Sequence, residues 1–316
     1  MTKPPTNLAA SVHRRLLDSA RARTEDFQFT LLRFGAERLL FRLCRSEHAE
    51  SFVLKGALLL VFWPDQLYRP TRDVDLEGFG DTDPDRLRVV FQAICRVQCS
   101  EDALAFDADS VAAQPIRTTQ EYGGVRVTLD ARLGKARIPL QIDIGFGDAI
   151  TPAPIVRDFP TLLPLPAPRL RTYPLETVVA EKFEAIARLG RANSRMKDFL
   201  DLCTLARRCE FDGPLLTKAV QATCQRRNAL MADIDEILVP DFYADVGLEQ
   251  RWRAYVRQLP AGTIAPDSLA TVGGELVRFL VPLVNALLGH CVLRTWSSNS
   301  GWLLWGMLAD PAKSPR

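Results

Sequence analysis

Residues 69–78 read RPTRDVDLEG, and the alternation inside this stretch decides the fold. Polar Asp73 and Asp75 interleave with apolar Val74 and Leu76, the period-two pattern of a half-buried β-strand. Residues i and i+2 of a strand share a face, so with a rise of about 3.3 Å per residue the two carboxylates project in parallel about 6.6 Å apart. Val74 and Leu76 then point into the core. Like charges so placed repel unless a cation lies between them or one takes up a proton. Hard carboxylate oxygens on a rigid strand suit Mg2+. An ordinary solvated strand face has the same pattern, and this motif alone does not separate the two.

The pattern repeats downstream. In PLQIDIGFG (139–147), Leu140, Ile142 and Ile144 take one face and leave Gln141, Asp143 and Gly145 on the other. If this strand lies beside the first, Asp143 completes a three-carboxylate cluster that suits two metal ions at the separation of about 3.5–4 Å used in phosphoryl displacement. GGVRVTLDARLG (123–134) alternates in the same way and is joined to it by Gly134-Lys135, the signature of an antiparallel hairpin. Upstream, SFVLKGALLLVFW (51–63) reads as a short strand into Gly56, then a buried apolar helix that ends before Pro64. A helix N-terminus at Gly56-Ala57 offers backbone N–H groups and a positive dipole end to a phosphate. A buried helix after a tight turn is the plainer reading.

Around this centre the chain alternates between helices and connectors. Apolar positions at helical spacing predict two helices within residues 8–46, and Asp83-Pro84 opens another over about 86–95. Residues 150–174, rich in proline, read as extended and connecting. ETVVAEKFEAIARLG (176–190) and SRMKDFLDLCTLARRC (194–209) are helices, the second with Ser194 as its N-cap. Residues 212–293 read as mainly helical, and 296–316 have no clear assignment. The expected class is α+β, a mixed β-sheet flanked by helices with a mainly helical C-terminal region. The expected division is a first domain over 1–210, a helical domain over 211–295 and a tail over 296–316.

Composition narrows the function. A net charge of +2 excludes a polycation, so a nucleic-acid partner needs a local patch. Between Ser11 and Arg45 there are eight arginines against four acids, which reads either as such a patch or as solvated helix faces. Seven scattered cysteines without a CxxC pair, and three histidines, argue against a zinc site and for reduced thiols in a cytoplasmic protein. The first residues lack the apolar core of a signal peptide. The apolar stretch 276–293 is broken by Arg278, Pro282, Asn285 and His290, which predicts a core helix and no membrane association.

Taken in order, Lys55-Gly56, Arg69-Pro70-Thr71-Arg72-Asp73-Val74-Asp75, Asp143, Glu181-Lys182 and Arg195-Met196-Lys197-Asp198 resemble the AbiEii/AbiGii family of nucleotidyltransferase toxins, within the DNA polymerase β-type nucleotidyltransferase superfamily. The similarity runs from about residue 33 to 208 and rests on five elements in sequence. It implies a nucleotidyltransferase-type sheet and an Mg2+-dependent transfer, with two ions, from an NTP to a hydroxyl acceptor. Asp73, Asp75 and Asp143 are implied as metal ligands, Asp143 also as base. Lys182 is implied to reach the triphosphate, and Asp198 matches a further functional aspartate. Lys55, Gly56, Ala57, Arg69, Thr71, Arg72, Lys182 and Arg195 are the implied nucleotide contacts. Where the superfamily has a second Gly or Ser, Ala57 stands here and a hydroxyl contact is lost. The implied acceptor is RNA, the 3′ end of tRNA, with Arg188, Arg191, Arg195 and Lys197 tracking its backbone. The implied protein partner is a cognate antitoxin encoded nearby.

Other readings stay open. Lys182 reads equally as an exposed helix lysine, and Asp198 with Asp201 as partners of Arg195 or Arg191 on one helix side. Arg72 reads as a structural ion-pair partner and Tyr122 as a turn residue. For the whole chain the alternatives are an aminoglycoside-type nucleotidyltransferase and a nucleotide-binding regulatory protein without turnover.

Overall fold

In the computed structural model, which describes residues 7–62, 71, 73–116, 123–259 and 263–304, two capped helices open the chain. They are α1 (Leu8–Ala22) and α2 (Phe27–Cys44), and the side chains of Asn7 and Asp26 accept from the amides of Ala10 and Phe29 at their N-termini. The chain divides into two compact units, Met1–Asp148 with Pro154–Tyr173, and Ala149–Ala153 with Pro174–Arg316. The helices of residues 175–208, expected within the first domain, therefore cluster with the second unit.

In the first unit follow β1 (Phe52–Lys55), β2 (Asp73–Gly78), α3 (Pro84–Arg96), β3 (Leu104–Ile116), β4 (Gly124–Leu133), β5 (Ala136–Phe146), β6 (Ile155–Asp158) and β7 (Arg169–Thr172). Among the described residues these strands form a seven-stranded mixed sheet in the order β3-β4-β5-β2-β1-β7-β6, flanked by helices. The expected hairpin is present, with Leu133 opposite Ala136 across Gly134, whose φ is +58°. The expected neighbour relation is present too. β2 runs parallel to β5 with Asp75 opposite Asp143, and antiparallel to β1 with Lys55 opposite Asp75. Val74, Leu76, Ile142 and Ile144 are at most 1 % exposed, so the apolar half of each strand lies in the core. Each such aliphatic side chain contributes about 1.5–3 kcal/mol on burial.

Several expectations are corrected. Gly56–Phe62 winds as a 3-10 helix and not an α-helix, a long run for that form in a segment too short to offset the cost of α-helix nucleation. The proline-rich connector carries β6 and β7, and β7 pairs in parallel with β1 at Leu54 and Thr172. β3 was not anticipated, because the alternation of an outer strand rich in alanine and aspartate is weak: only Leu104 and Val111 of its residues are buried. Two of the N-terminal arginines are internal. Arg42 grips Asp102 with both terminal nitrogens at 2.7 and 3.2 Å, and Arg38 is wholly buried beside Glu37, so neither can face a nucleic acid.

The second unit contains α4 (Leu175–Leu189), α5 (Met196–Arg208), β8 (Phe211–Asp212), α6 (Gly213–Arg226), α7 (Met231–Glu236), α8 (Pro240–Tyr243), α9 (Val246–Val256), α10 (Leu269–Leu287), β9 (Leu293–Ser297) and β10 (Gly301–Leu304). Arg195, not Ser194, occupies the N-cap position of α5, and it makes no capping bond; the Asn193 side chain instead accepts from the Arg195 amide. α10 has the length and apolarity of a membrane span. Val272, Leu276, Phe279, Leu280 and Leu283 nevertheless lie fully buried at helical spacing, so it serves as a core helix of this unit. The tail that resisted assignment supplies part of that core. Trp296 donates to the Ala206 carbonyl at 2.7 Å and packs on Phe279, while Trp302 stacks on the same ring. All seven cysteines are unpaired thiols, and burial pushes the Cys95 thiol up to about 12, which leaves it unreactive.

Candidate active site

One face of the first unit's sheet gathers the ionisable side chains. The strand rule puts Asp73, Asp75 and Glu77 on the same side of β2, and the registers add Lys55 from β1 and Gln141, Asp143 and Gly145 from β5. At its edge the chain leaves β1 through Gly56, whose φ of +73° is a conformation that side-chain-bearing residues rarely hold. The backbone there passes against Asp75. A Cβ on Gly56 would sit 2.6 Å from the Asp75 Cγ and 2.7 Å from its Cβ, and closer still to Oδ2. Glycine is thus required twice, once by the dihedral and once by the carboxylate it abuts. Ala57 is buried, and the Thr71 hydroxyl donates to the Asp73 carbonyl at 3.3 Å, fixing the start of the carboxylate strand. Arg69 and Arg72, expected nucleotide contacts, and Tyr122 lie outside the described residues.

Asp143 does not face Asp75 alone. Arg126, opposite it on β4, donates from Nε to Oδ1 at 2.8 Å and from Nη2 to Oδ2 at 2.7 Å. This bidentate bond raises the Arg126 pKa further, with the charges of Asp143 and Asp73 adding to it. The expectation of a preformed three-carboxylate cluster is corrected accordingly: among the described residues no three carboxylate, imidazole or thiol groups converge as a metal site. The donors still have the right chemistry for Mg2+, since they are hard oxygens on adjacent, register-locked strands. Asp73 and Asp75 share one face of β2 and have the donor chemistry for that role, while Asp143 is held by the Arg126 guanidinium.

Glu77 and Lys55 form the other flank. The Lys55 ammonium lies 2.7 Å from Glu77 and 2.9 Å from Asp148, so this expected nucleotide contact is held by two carboxylates. Sequence reading missed Arg126, Glu77 and Asp148. A signal was present for two of them. Glu77 continues the Asp73, Asp75 alternation, and Arg126 alternates with Val125 and Val127.

Lys182, Asp198 and Arg195 belong to the second unit. Lys182 of α4 donates to Asp198 at 3.0 Å and to Asp201 at 2.7 Å, both on α5. The Arg195 Nε lies 2.8 Å from the second Asp198 oxygen. With side-chain exposures of 12 % for Lys182, 2 % for Asp198 and 3 % for Asp201, this is an internal cluster, not the exposed lysine of the plainer reading. Breaking such a pair leaves buried charge behind. Lys182→Met is expected to destabilise the protein by about 3 kcal/mol in urea unfolding, an effect that Asp198→Asn with Asp201→Asn largely reverses. Of the basic cluster proposed for RNA, Arg188 bonds Glu184, and Arg191 bonds Glu236 and Asp245 rather than Asp198. Acids therefore already offset much of that patch.

The family model described as "Nucleotidyl transferase AbiEii toxin, Type IV TA system" matches residues 38–272. JHP933 from Helicobacter pylori is similar in structure, at a TM-score of 0.43 and 16% identity, over 82% of this chain and 94% of its own. A second Helicobacter pylori structure, provisionally assigned as a nucleotidyltransferase, gives 0.42 and 15% over 81% and 94%. No curated protein matches the chain. A mixed sheet that carries paired carboxylates beside a glycine turn is here the scaffold of a nucleotidyltransferase. The chain belongs to the AbiEii family of nucleotidyltransferase toxins of type IV toxin–antitoxin systems. That membership implies an NTP as substrate and an antitoxin as partner.

Proposed function

We propose that this toxin transfers a nucleotidyl group from an NTP to the 3′-hydroxyl of an RNA, tRNA being the expected acceptor, and that it does so with Mg2+ at Asp73 and Asp75. The observation that carries this reading is the fit of Gly56 against Asp75, opposite Asp143 on the parallel neighbour. Mg2+ held by Asp73 and Asp75 would supply Lewis-acid polarisation at phosphorus and positive charge against the pyrophosphate. The chain's residues do the rest. Asp73 and Asp75 would hold the cation on their shared face, and the Gly56 turn brings backbone close to the polyphosphate without a side chain between. Asp143, oriented by Arg126, takes the proton of the attacking hydroxyl at a carboxylate oxygen. Attack of that hydroxyl on the α-phosphorus forms the new P–O bond, and the bond to pyrophosphate breaks.

The test is incubation of the protein with total RNA, Mg2+ and each α-labelled NTP in turn, with EDTA as control. Label in a discrete tRNA-sized band, lost with EDTA, is expected. Label only in a small molecule such as an aminoglycoside, or no pyrophosphate release on any acceptor, contradicts the RNA reading.

A further inference from the structure

Lys55 and Asp75 are direct cross-strand partners, and residues so placed have Cβ atoms about 4.5–5.5 Å apart, within reach of an ion pair. The structure binds the lysine elsewhere. Its ammonium extends over Gly145, where a Cβ would lie 2.8 Å from Nζ, and reaches Glu77 at 2.7 Å and Asp148 at 2.9 Å. That is the level of the Glu77–Gly145 pair, one same-face step along the sheet from the Asp75–Asp143 pair. Glu77 is built for this grip. It is wholly buried, and besides Lys55 it accepts from the Asp148 amide at 2.8 Å and the Tyr173 hydroxyl at 3.3 Å. The Tyr173 ring also lies 5.6 Å from the ammonium. A wholly buried carboxylate with this many donors is fixed in place, so the lysine it holds stays with it.

We infer that Glu77 is a positioning residue: it holds the Lys55 ammonium at the Gly145 level, so that the lysine does not compete with a divalent cation for Asp75. The inference rests on the reading that Asp73 and Asp75 take the cation. Removing the Glu77 charge lets Lys55 swing back to its cross-strand partner, where it acts as an internal competitor. Removing both charges abolishes the competitor along with its holder. A purely structural Glu77 predicts the opposite for the double variant, which would then be no better than the single one.

The experiment is Mn2+ binding, read from the electron paramagnetic resonance of the unbound ion, with a non-hydrolysable NTP analogue present and no turnover. Wild type, Glu77→Gln, Lys55→Met and the double variant are compared, with circular-dichroism melts to check the fold. Glu77→Gln is expected to weaken Mn2+ binding about tenfold, and adding Lys55→Met to restore it to within about threefold of wild type. Asp148→Asn, at a partly exposed position, gives the same sign at smaller size and carries the test if the buried variant fails to fold. Wild-type affinity in Glu77→Gln, or a double variant as weak as the single one, overturns the inference and leaves the metal reading intact. Absence of Mn2+ binding in the wild type overturns the metal reading and this inference with it.

Discussion

Asp73→Asn and Asp75→Asn are each expected to abolish nucleotidyl transfer and leave the fold standing. The two side chains share a sheet face across Val74, so neither can take over the other's position, and an amide offers a neutral oxygen where the proposed ion needs an anionic one. The loss expected is at least about 10³-fold in kcat/KM, which corresponds to about 4 kcal/mol of transition-state stabilisation. Stability should fall by no more than about 1 kcal/mol, since an isosteric amide keeps the packing and both residues stand on the partly exposed side of β2. Transfer of α-labelled nucleotide and a thermal melt, measured on the same preparations, check both halves. Either variant retaining more than about a tenth of wild-type transfer would count heavily against the role given to this strand.

Gly56→Ala is the second large effect. At φ +73° an alanine carries a penalty of about 1–2 kcal/mol, and its Cβ would occupy the space of the Asp75 carboxylate. The cheaper response is for the Asp75 side chain to rotate away, because a carboxylate moves more easily than a strand-end backbone. Transfer should therefore fall about 10²-fold or more, with only a modest drop in melting temperature. The order of these two losses distinguishes this account from a generic loss of stability. A variant that melts far below wild type yet turns over normally near freezing would place Gly56 in folding alone.

Much of this site was legible because strands announce their faces. Asp73, Asp75 and Asp143 alternate with residues whose burial is nearly complete, and a period of two assigns each carboxylate its side without knowledge of the fold. Which residue stands opposite which is not encoded locally. Arg126 reaches Asp143, and Lys55 reaches Glu77 and Asp148, through pairings between strands far apart in sequence, and those decide whether a carboxylate meets a metal or a cation of the chain itself. Helix spacing showed that Asp198 and Asp201 share a side, but only the packing of α4 on α5 brings Lys182 between them. β6 and β7 escaped notice because four-residue strands among prolines carry too few alternations to register. The sheet of the last described residues hides behind tryptophans that read as polar tail until Phe279 is placed beneath them.

Diffraction at the manganese edge from crystals grown with Mn2+ and a non-hydrolysable NTP puts the central claim to the most direct trial. The predicted map has an anomalous peak about 2.1–2.3 Å from carboxylate oxygens of both Asp73 and Asp75, with the nucleotide phosphates beside the Gly56 turn. A peak lodged instead at Asp198 and Asp201, or nucleotide density far from β2, would contradict it.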